Sequence, residues 1–488
     1  MTDCTNRGNG RKRPPATLAS LAIKIMKGGR KSMIRASLLF GICVLTVFAS
    51  LPVRAETIED IKTAMEEMKR EYEARIKGLE AKIETISTQQ QEDSAKIEEI
   101  TIKHDKQVSS IEQKIEAKTL NVEYVGRGNA PVGRGGLVIG NPFGFGNVSV
   151  GGYADIEYGD FENIDASFTQ HRWVINIGAF PHERLRFNSE LEIEYGGPNV
   201  PNADGEVKVE QAYMDYLISD TINLRAGALL VPFGRYNLYH DSDLQNLTER
   251  PIVARDIIPT TWTEAGAGVF GRFNPVLGSY EDLNLNYELY VVNGLDAAFS
   301  DTGLSGARSS LKTDNNDDKA VVGRLAVSPW LNQEVGVSGY WGEYDTAGND
   351  IAGLGFDSLL TFGPLEWINE YAYFDVAQTT TDVANFFQGA YSQLNYDFWP
   401  KFLDNSFLGQ GFENPKLTLV GRYDWGLISD DSDASLGDNE ENRWTLGFNY
   451  RPVDNFVFKF EYQWNQTTGE VLERGDNNGF LSSMAIGF

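Results

Sequence analysis

Leu185-Arg186-Phe187-Asn188-Ser189-Glu190-Leu191-Glu192-Ile193-Glu194-Tyr195 is the stretch whose reading decides the fold. Leu185, Phe187, Leu191, Ile193 and Tyr195 fall on one side; Arg186, Asn188, Glu190, Glu192 and Glu194 fall on the other. A period of two is that of a strand with one apolar and one polar face. The pattern returns in Phe456, Phe458, Phe460, Tyr462 and Trp464 against Lys459, Glu461 and Gln463. It returns again in Trp444, Leu446, Phe448 and Tyr450 against Arg443, Thr445 and Asn449. In a soluble barrel the apolar faces would point inward, but here they are too bulky and too many to fit, and the charged faces would be left without partners. A water-filled barrel with lipid outside satisfies both faces.

Working outward, Asn147 to the end holds about sixteen strand candidates. They start near Asn147, Ala166, Arg184, Glu206, Thr221, Trp262, Asp282, Asp318, Asn332, Ile351, Leu365, Phe386, Pro415, Asn442, Phe456 and Asn478. Tight turns at Pro181–Glu183, Ser219–Asp220, Ser328–Leu331, Gly363–Pro364 and Pro452–Asn455 alternate with longer loops at 159–165, 196–205, 232–261, 293–317, 376–385, 428–440 and 467–477. Short turns on one rim and long loops on the other is the outer-membrane arrangement. The connection Phe398–Asn414 is too long for this scheme. The fold expected is an all-β transmembrane barrel of about 16 antiparallel strands over 147–488. The terminal Phe488, on an alternating strand, resembles the assembly signal of outer-membrane barrels.

The longest connection, 232–261, spans 30 residues between the alternating segments Leu224–Val231 and Trp262–Phe273. Loops of this length inside a compact domain are functional or disordered. This one is rich in charge, Tyr, Pro and Ile, so it is expected to fold back into a polar lumen and narrow it.

The N-terminal part decides the compartment. Ala36–Val53 is uncharged, is preceded by Lys27, Arg30, Lys31 and Arg35, and is followed by Val53-Arg54-Ala55. This is the pattern of a secretory signal peptide, 1–55, cleaved after Ala55. The start could be Met1, Met26 or Met33. Cys43 lacks the small preceding residue of a lipoprotein site. Removing 1–55 removes both cysteines and leaves 33 basic and 68 acidic residues, a net charge of −35. That balance disfavours nucleic acid, and a secreted chain without cysteine cannot lean on disulfides.

From Ile58 the period becomes helical. Ile58, Ile61, Met65, Met68 and Tyr72, then Ile76, Leu79, Ile83 and Ile86, then Ile97, Ile100 and Ile111 form a heptad seam with one stutter. A stripe this narrow points to self-association, so 56–118 is expected to be a periplasmic α-helical coiled coil preceding the barrel. As one helix it would reach roughly 85 Å at about 1.5 Å per residue. Residues 119–146, with eight glycines from Gly126 to Gly146, read as a linker. Their Gly-Arg-Gly runs lack the Gly-Lys-Ser/Thr and the following helix of a phosphate loop.

From about Val148 to Phe488 the chain resembles the phosphate-selective porin O/P superfamily of outer-membrane porins. The resemblance is carried by the strand count, Arg225-Ala226-Gly227 … Val231-Pro232-Phe233-Gly234, the loop sequence Thr248-Glu249-Arg250-Pro251, and Phe488. The N-terminal stalk is similar to that of a dicarboxylate-uptake porin group. The resemblance implies a homotrimer in outer-membrane lipid and lipopolysaccharide. Phosphate-selective members line the pore with an arginine and lysine ladder, which this acidic chain does not match residue by residue.

Selectivity follows lumen charge. Parity turns Arg172, Arg186, Arg225, Arg272, Arg324, Arg422 and Arg443 inward, with Asp155, Glu157, Glu190, Glu192, Glu264, Glu288, Asp424 and Glu461. These form either a transverse field across a constriction or an interstrand ion-pair lattice that stiffens the wall. The loop offers Arg235, His240, Asp241, Asp243, Glu249, Arg250, Arg255 and Asp256. The solute contacts expected are Arg235, Arg250 and Arg255, with Arg225, Arg272, Arg186, Glu264 and Asp256 around them. No cofactor, metal spacing or catalytic dyad is visible. His104, His171, His182 and His240 lie in four elements, His171 being read on the lipid face. The acidic run from Asp430 to Glu441 lacks the glycine of a calcium loop. The function expected is passive diffusion of small hydrophilic, ionic solutes, phosphate-like anions or dicarboxylates among them. The alternative is a structural envelope tether with a plugged barrel.

Overall fold

A computed structural model describes residues 58–116, 122–126, 135–140, 145–198, 205–276, 283–377, 384–429, 439–468 and 477–488. The signal-peptide reading of 1–55 lies outside these residues. The chain divides into two units, 1–116 and 117–488.

The first unit is one helix, α1 (Ile58–Glu116). Its described side chains are exposed, the seam residues Met65, Ile76, Ile83 and Ile100 among them. No second helix packs on it among the described residues, so the single chain carries a helix and not a coiled coil.

In the second unit, sixteen strands pair in sequence order and close on themselves: β3 (Asn147–Phe161), β4 (Ile164–His182), β5 (Leu185–Glu194), β6 (Val207–Leu217), β7 (Asn223–Leu230), β8 (Thr263–Phe273), β9 (Asn284–Val292), β10 (Ala320–Ser328), β11 (Gln333–Glu343), β12 (Asp350–Phe362), β13 (Leu365–Val376), β14 (Phe386–Phe398), β15 (Lys416–Ser429), β16 (Asn439–Val453), β17 (Phe456–Thr468) and β18 (Gly479–Gly487). Every neighbouring pair is antiparallel, and β18 pairs with β3, for example Ala485 with Asp155. The result is an all-β, 16-stranded barrel without edges.

The wall faces the way the alternation requires. Leu191, Trp444, Phe460 and Trp464 are exposed on the outside, while Glu190, Glu192, Arg443, Lys459 and Glu461 are buried inside. Water cannot reach an outward polar face in lipid, so the ions are kept inside.

Two readings change. The segment 119–146 is not only linker: β1 (Val122–Val125) and β2 (Gly136–Ile139) form a hairpin, and β2 pairs with β3 at Val148–Val150. It continues the edge of β3 beyond Phe488, whose backbone bonds Gly152. The expected loop 159–165 shrinks to the turn Glu162-Asn163, because Phe161 pairs with Ile164. The long connection after β14 is real. It carries a short 3-10 turn, Lys401–Leu403, and sits on the short-turn rim.

The interior is not uniformly polar. Leu229, Val253, Ile257, Ile258, Trp262, Tyr290, Val322, Tyr340, Phe374, Phe387 and Ile428 form one buried cluster. Its members are inward residues of β7 and of β9 to β15 and the apolar side of the long loop. Each large side chain removed from water this way contributes roughly 2 kcal/mol, so the loop is held by a hydrophobic core on one flank.

Candidate pore constriction

The loop between β7 and β8 leaves the wall where Val231 donates to the Trp262 carbonyl at 3.0 Å. It then folds inward through a 3-10 turn, Tyr236–Leu238, and a five-residue π-helical turn, Val253–Ile257. Gly234 explains the Val231-Pro232-Phe233-Gly234 sequence. Its φ is +72°, and a Cβ there would collide with the Glu370 carboxylate of β13. That closeness lets Glu370 accept from the Tyr236 amide at 2.9 Å, while the Gly234 amide donates to Ser338 on β11 at 3.1 Å.

Across the lumen, Thr248-Glu249-Arg250-Pro251 lies over an ionic saddle. The Glu249 amide donates to Glu461 at 3.3 Å, and Thr248 meets Ser483 at 2.8 Å. Arg422 donates to the Glu249 carbonyl at 3.0 Å and Arg443 to the Arg250 carbonyl at 2.6 Å. Both arginines also reach Asp424, at 2.8 and 3.3 Å. Nearby, Arg451 donates to the Asp243 carbonyl at 2.8 Å and Lys459 to the Ser242 carbonyl at 2.7 Å. Wall cations thus hold the loop by its backbone.

On the opposite wall, His240 approaches Glu210 of β6 at 3.4 Å, and the Thr261 hydroxyl donates to the same carboxylate oxygen at 3.1 Å. Glu210 reaches the lumen through a bulge. Glu190 pairs with Gln211 and Leu191 with Val209, so Glu210 is the extra residue. A second bulge corrects the reading of His171. Asp155 pairs with Arg172 and Glu157 with Thr169, so Gln170 and His171 both face Ile156 in register. His171 therefore turns inward, 2.8 Å from Glu157 and 3.2 Å from Asp155, and not toward lipid.

The eight expected site residues do not converge on one point. Arg225 is held by Asp215 at 2.8 and 3.1 Å and sandwiched over the Tyr213 and Phe270 rings at 4.0 and 4.4 Å. Glu264 is buried behind the loop, accepting from Trp262 Nε1 at 3.0 Å and Ser309 at 2.7 Å. Arg255 is paired with Asp256 and with Glu441; burial works against its charge, but the two acids hold its pKa well above the ordinary value. Arg235 joins Glu334 at 3.0 Å and lies over the Tyr239 ring. Arg186 and Arg272 line a cavity of about 790 Å³ on the short-turn side, with Arg324, Glu288 and Tyr239. Arg186 stands opposite Asp215 in register, but Arg225 has taken that carboxylate.

Arg250 is the loop arginine left open. It donates to the Thr260 carbonyl at 2.6 Å. Beside it is a residue the sequence did not single out: Arg308, which donates to the Thr261 carbonyl at 3.1 Å. Arg308 belongs to a second inward loop, between β9 and β10, tied to the first by Leu304 donating to the Asp256 carbonyl at 2.9 Å. Neither arginine forms an ion pair among the described residues. Burial, and then the neighbouring Arg250, pull the Arg308 pKa down from its ordinary value, against Glu206, Glu194 and Glu192. Burial also pushes up the Tyr236 phenol. Only the proline- and glycine-marked loop ends hinted at these contacts in the sequence; the pairing of two loops left no local pattern.

A closed 16-stranded barrel, lipid-facing outside, ionic inside and crossed by an inward loop, is an outer-membrane porin architecture. The family described as phosphate-selective porin O and P matches residues 153–357 and 354–487, and the chain belongs to that family. Family and strand pairing together place it in the bacterial outer membrane. A protein of Aquifex aeolicus (strain VF5), described as uncharacterized, is 32% identical over 254 residues, which is 51% of this chain and 53% of that protein. The chain thus spans about half the length of the curated relative it matches. Among solved structures it is similar to the outer-membrane OmpT of Vibrio cholerae (10% identity, 70% of this chain and 98% of that one, TM-score 0.45). It is also similar to an anion-selective porin from Comamonas acidovorans (13%, 70% and 99%, TM-score 0.44) and to Salmonella typhi OmpF in complex with daunomycin (13%, 70% and 98%, TM-score 0.48). The barrel assignment itself rests on the strand pairing of this chain.

Proposed function

We propose that the protein passes small hydrophilic, ionic solutes by passive diffusion and favours anions at its constriction, phosphate-like ions or dicarboxylates being the matching class. The observation that carries this is the pair Arg250 and Arg308, set on adjacent carbonyls and forming no ion pair among the described residues. Two neighbouring guanidinium groups attract an anion more strongly than the distant acidic balance repels it, because the near charges are the least screened. The reversal potential of the purified protein in a planar bilayer under a salt gradient tests this. An anion-selective sign, weakened by Arg250→Ala and Arg308→Ala, is expected; a cation-selective sign unaffected by both overturns it. Arg235, Arg186 and Arg272 are then secondary contacts on the short-turn side, Arg255, Asp256 and Glu264 position the two loops, and Arg225 braces the wall through Asp215.

The seam of α1 supports self-association of the periplasmic segment 56–118, and with it a homotrimer. A lone stripe of Ile and Met left in water is the kind of surface a coiled coil buries. Cross-linking between copies through Ile83→Cys tests this. Deleting 56–118 spares conductance if the stalk only organises the assembly. If the protein is instead an envelope tether, that deletion separates membrane from cell wall. The 1–55 segment is removed on export in this reading, and the mature N-terminal sequence should begin at Glu56.

A further inference from the structure

Among the described residues of the short-turn rim, the connection between β14 and β15 is long and aromatic. It does not hang into water or fold into the lumen. Tyr450 and Leu417 occupy outward positions of β16 and β15, in step with the exposed Phe448 and Leu419, yet both are buried. The connection covers Tyr450: the Trp399 ring stacks on it with centroids 6.4 Å apart, and its hydroxyl donates to the Leu408 carbonyl. The segment therefore lies against the outer wall of the barrel, at the level where the lipid-facing belt ends.

Its construction suits that place. Backbone groups are satisfied within the lobe: Leu403 donates to Pro400 at 2.9 Å, Ser406 to Leu403 at 2.9 Å, Gln410 to Ser406 at 2.8 Å and Phe412 to Gly409 at 3.2 Å. The Ser406 hydroxyl takes the Leu403 carbonyl and Asp404 takes the Trp399 indole, both within the same segment. Self-contained hydrogen bonding is what an irregular segment needs where water is scarce. Meanwhile Phe402 is 81% exposed and Phe407 is 87% exposed, which has no packing purpose within the chain. Lys401, Asn405 and Gln410 are exposed beside them, polar enough for a headgroup layer.

We propose that Phe402 and Phe407 insert into the phospholipid leaflet on the short-turn side, making the β14–β15 lobe a built-in lipid anchor on the outer face of the barrel. The occupant is lipid and not another protein because the lobe is continuous with the lipid-facing belt, whose outward residues Leu419, Tyr396 and Phe448 run directly up to it. A turn that only joined two strands would need a few residues and no aromatic side chains.

The test uses the full chain with Cys4 and Cys43 replaced by Ser, refolded into phosphatidylethanolamine–phosphatidylglycerol vesicles. An environment-sensitive nitrobenzoxadiazole label is placed at Phe402→Cys or Phe407→Cys. Leu354→Cys, on the lipid-facing wall, and Thr346→Cys, on the long-loop rim, serve as references, and heat-modifiable migration confirms that each variant is folded. Expected is quenching by doxyl-labelled lipid to the extent seen at Leu354→Cys, a matching blue shift, and protection from iodide. Labels quenched by iodide as at Thr346→Cys and indifferent to doxyl lipid overturn the proposal. So do labels sheltered from both quenchers that cross-link between copies, which would make the lobe a contact between protein chains.

Discussion

At the scale of single residues, the interior sorts its charges into those that hold and those that face the passage. Arg443 is buried against Asp424 and the Arg250 carbonyl. Replacing it by Met strips a buried carboxylate of one of its two cations and frees the loop at that point. The expected cost is roughly 3 kcal/mol, read as a lower urea midpoint for unfolding from vesicles. Arg250→Ala and Arg308→Ala should barely alter that midpoint, since both donate only to loop carbonyls, but should shift the reversal potential toward cations. Arg308→Lys should keep part of the anion preference, because charge survives while the planar two-point grip is lost. Inward residues on regular strands, such as Glu190 and Arg422, were legible from parity. Glu210 and His171 were not, because one extra residue in a ladder reverses parity from that point on and leaves no mark in the composition.

At the scale of elements, the two inward loops act as one body. Gly303 has φ +127°, and a Cβ there would press on the Asp256 carbonyl of the π-helical turn. Gly303→Val should therefore lift the second loop off the first and carry Arg308 away with it. Anion preference should fall as far as in Arg308→Ala although the arginine is intact, and open-channel current should become noisier. An unchanged reversal potential would show that the loops do not depend on each other. The first loop was legible as inward-folding from its length and its ordered composition. The second was expected only as a long loop, and its role was hidden because its contacts are with another loop more than forty residues away. Strand positions were legible throughout, since lipid outside and ions inside impose the same alternation on every strand. The hairpin β1–β2 was not, because four-residue strands among glycines carry no period to read.

At the scale of the whole molecule, the chain is strongly acidic, while the proposed anion site is local and basic. These act over different distances. The Debye length is about 10 Å at 0.1 M salt and about 3 Å at 1 M, so repulsion from distant rim acids is screened first. Anion preference per ion should therefore hold or rise from low to moderate salt and fall only once the Arg250–Arg308 pair is itself screened. A preference that falls steadily from the lowest salt would mean that long-range rim charge, and not the loop pair, sets the sign.

The hydrophobic cluster on one flank of the lumen has a further consequence. With Phe374, Trp262 and Ile257 fully shut away from solvent, the obstruction is braced from within and owes nothing to the fat around it. Moving the protein from a thick bilayer to a thin one, or into mild detergent, should tilt and stretch the staves and leave the stopper seated. Preference among ions should travel with the protein from one membrane to the next, even where total current does not.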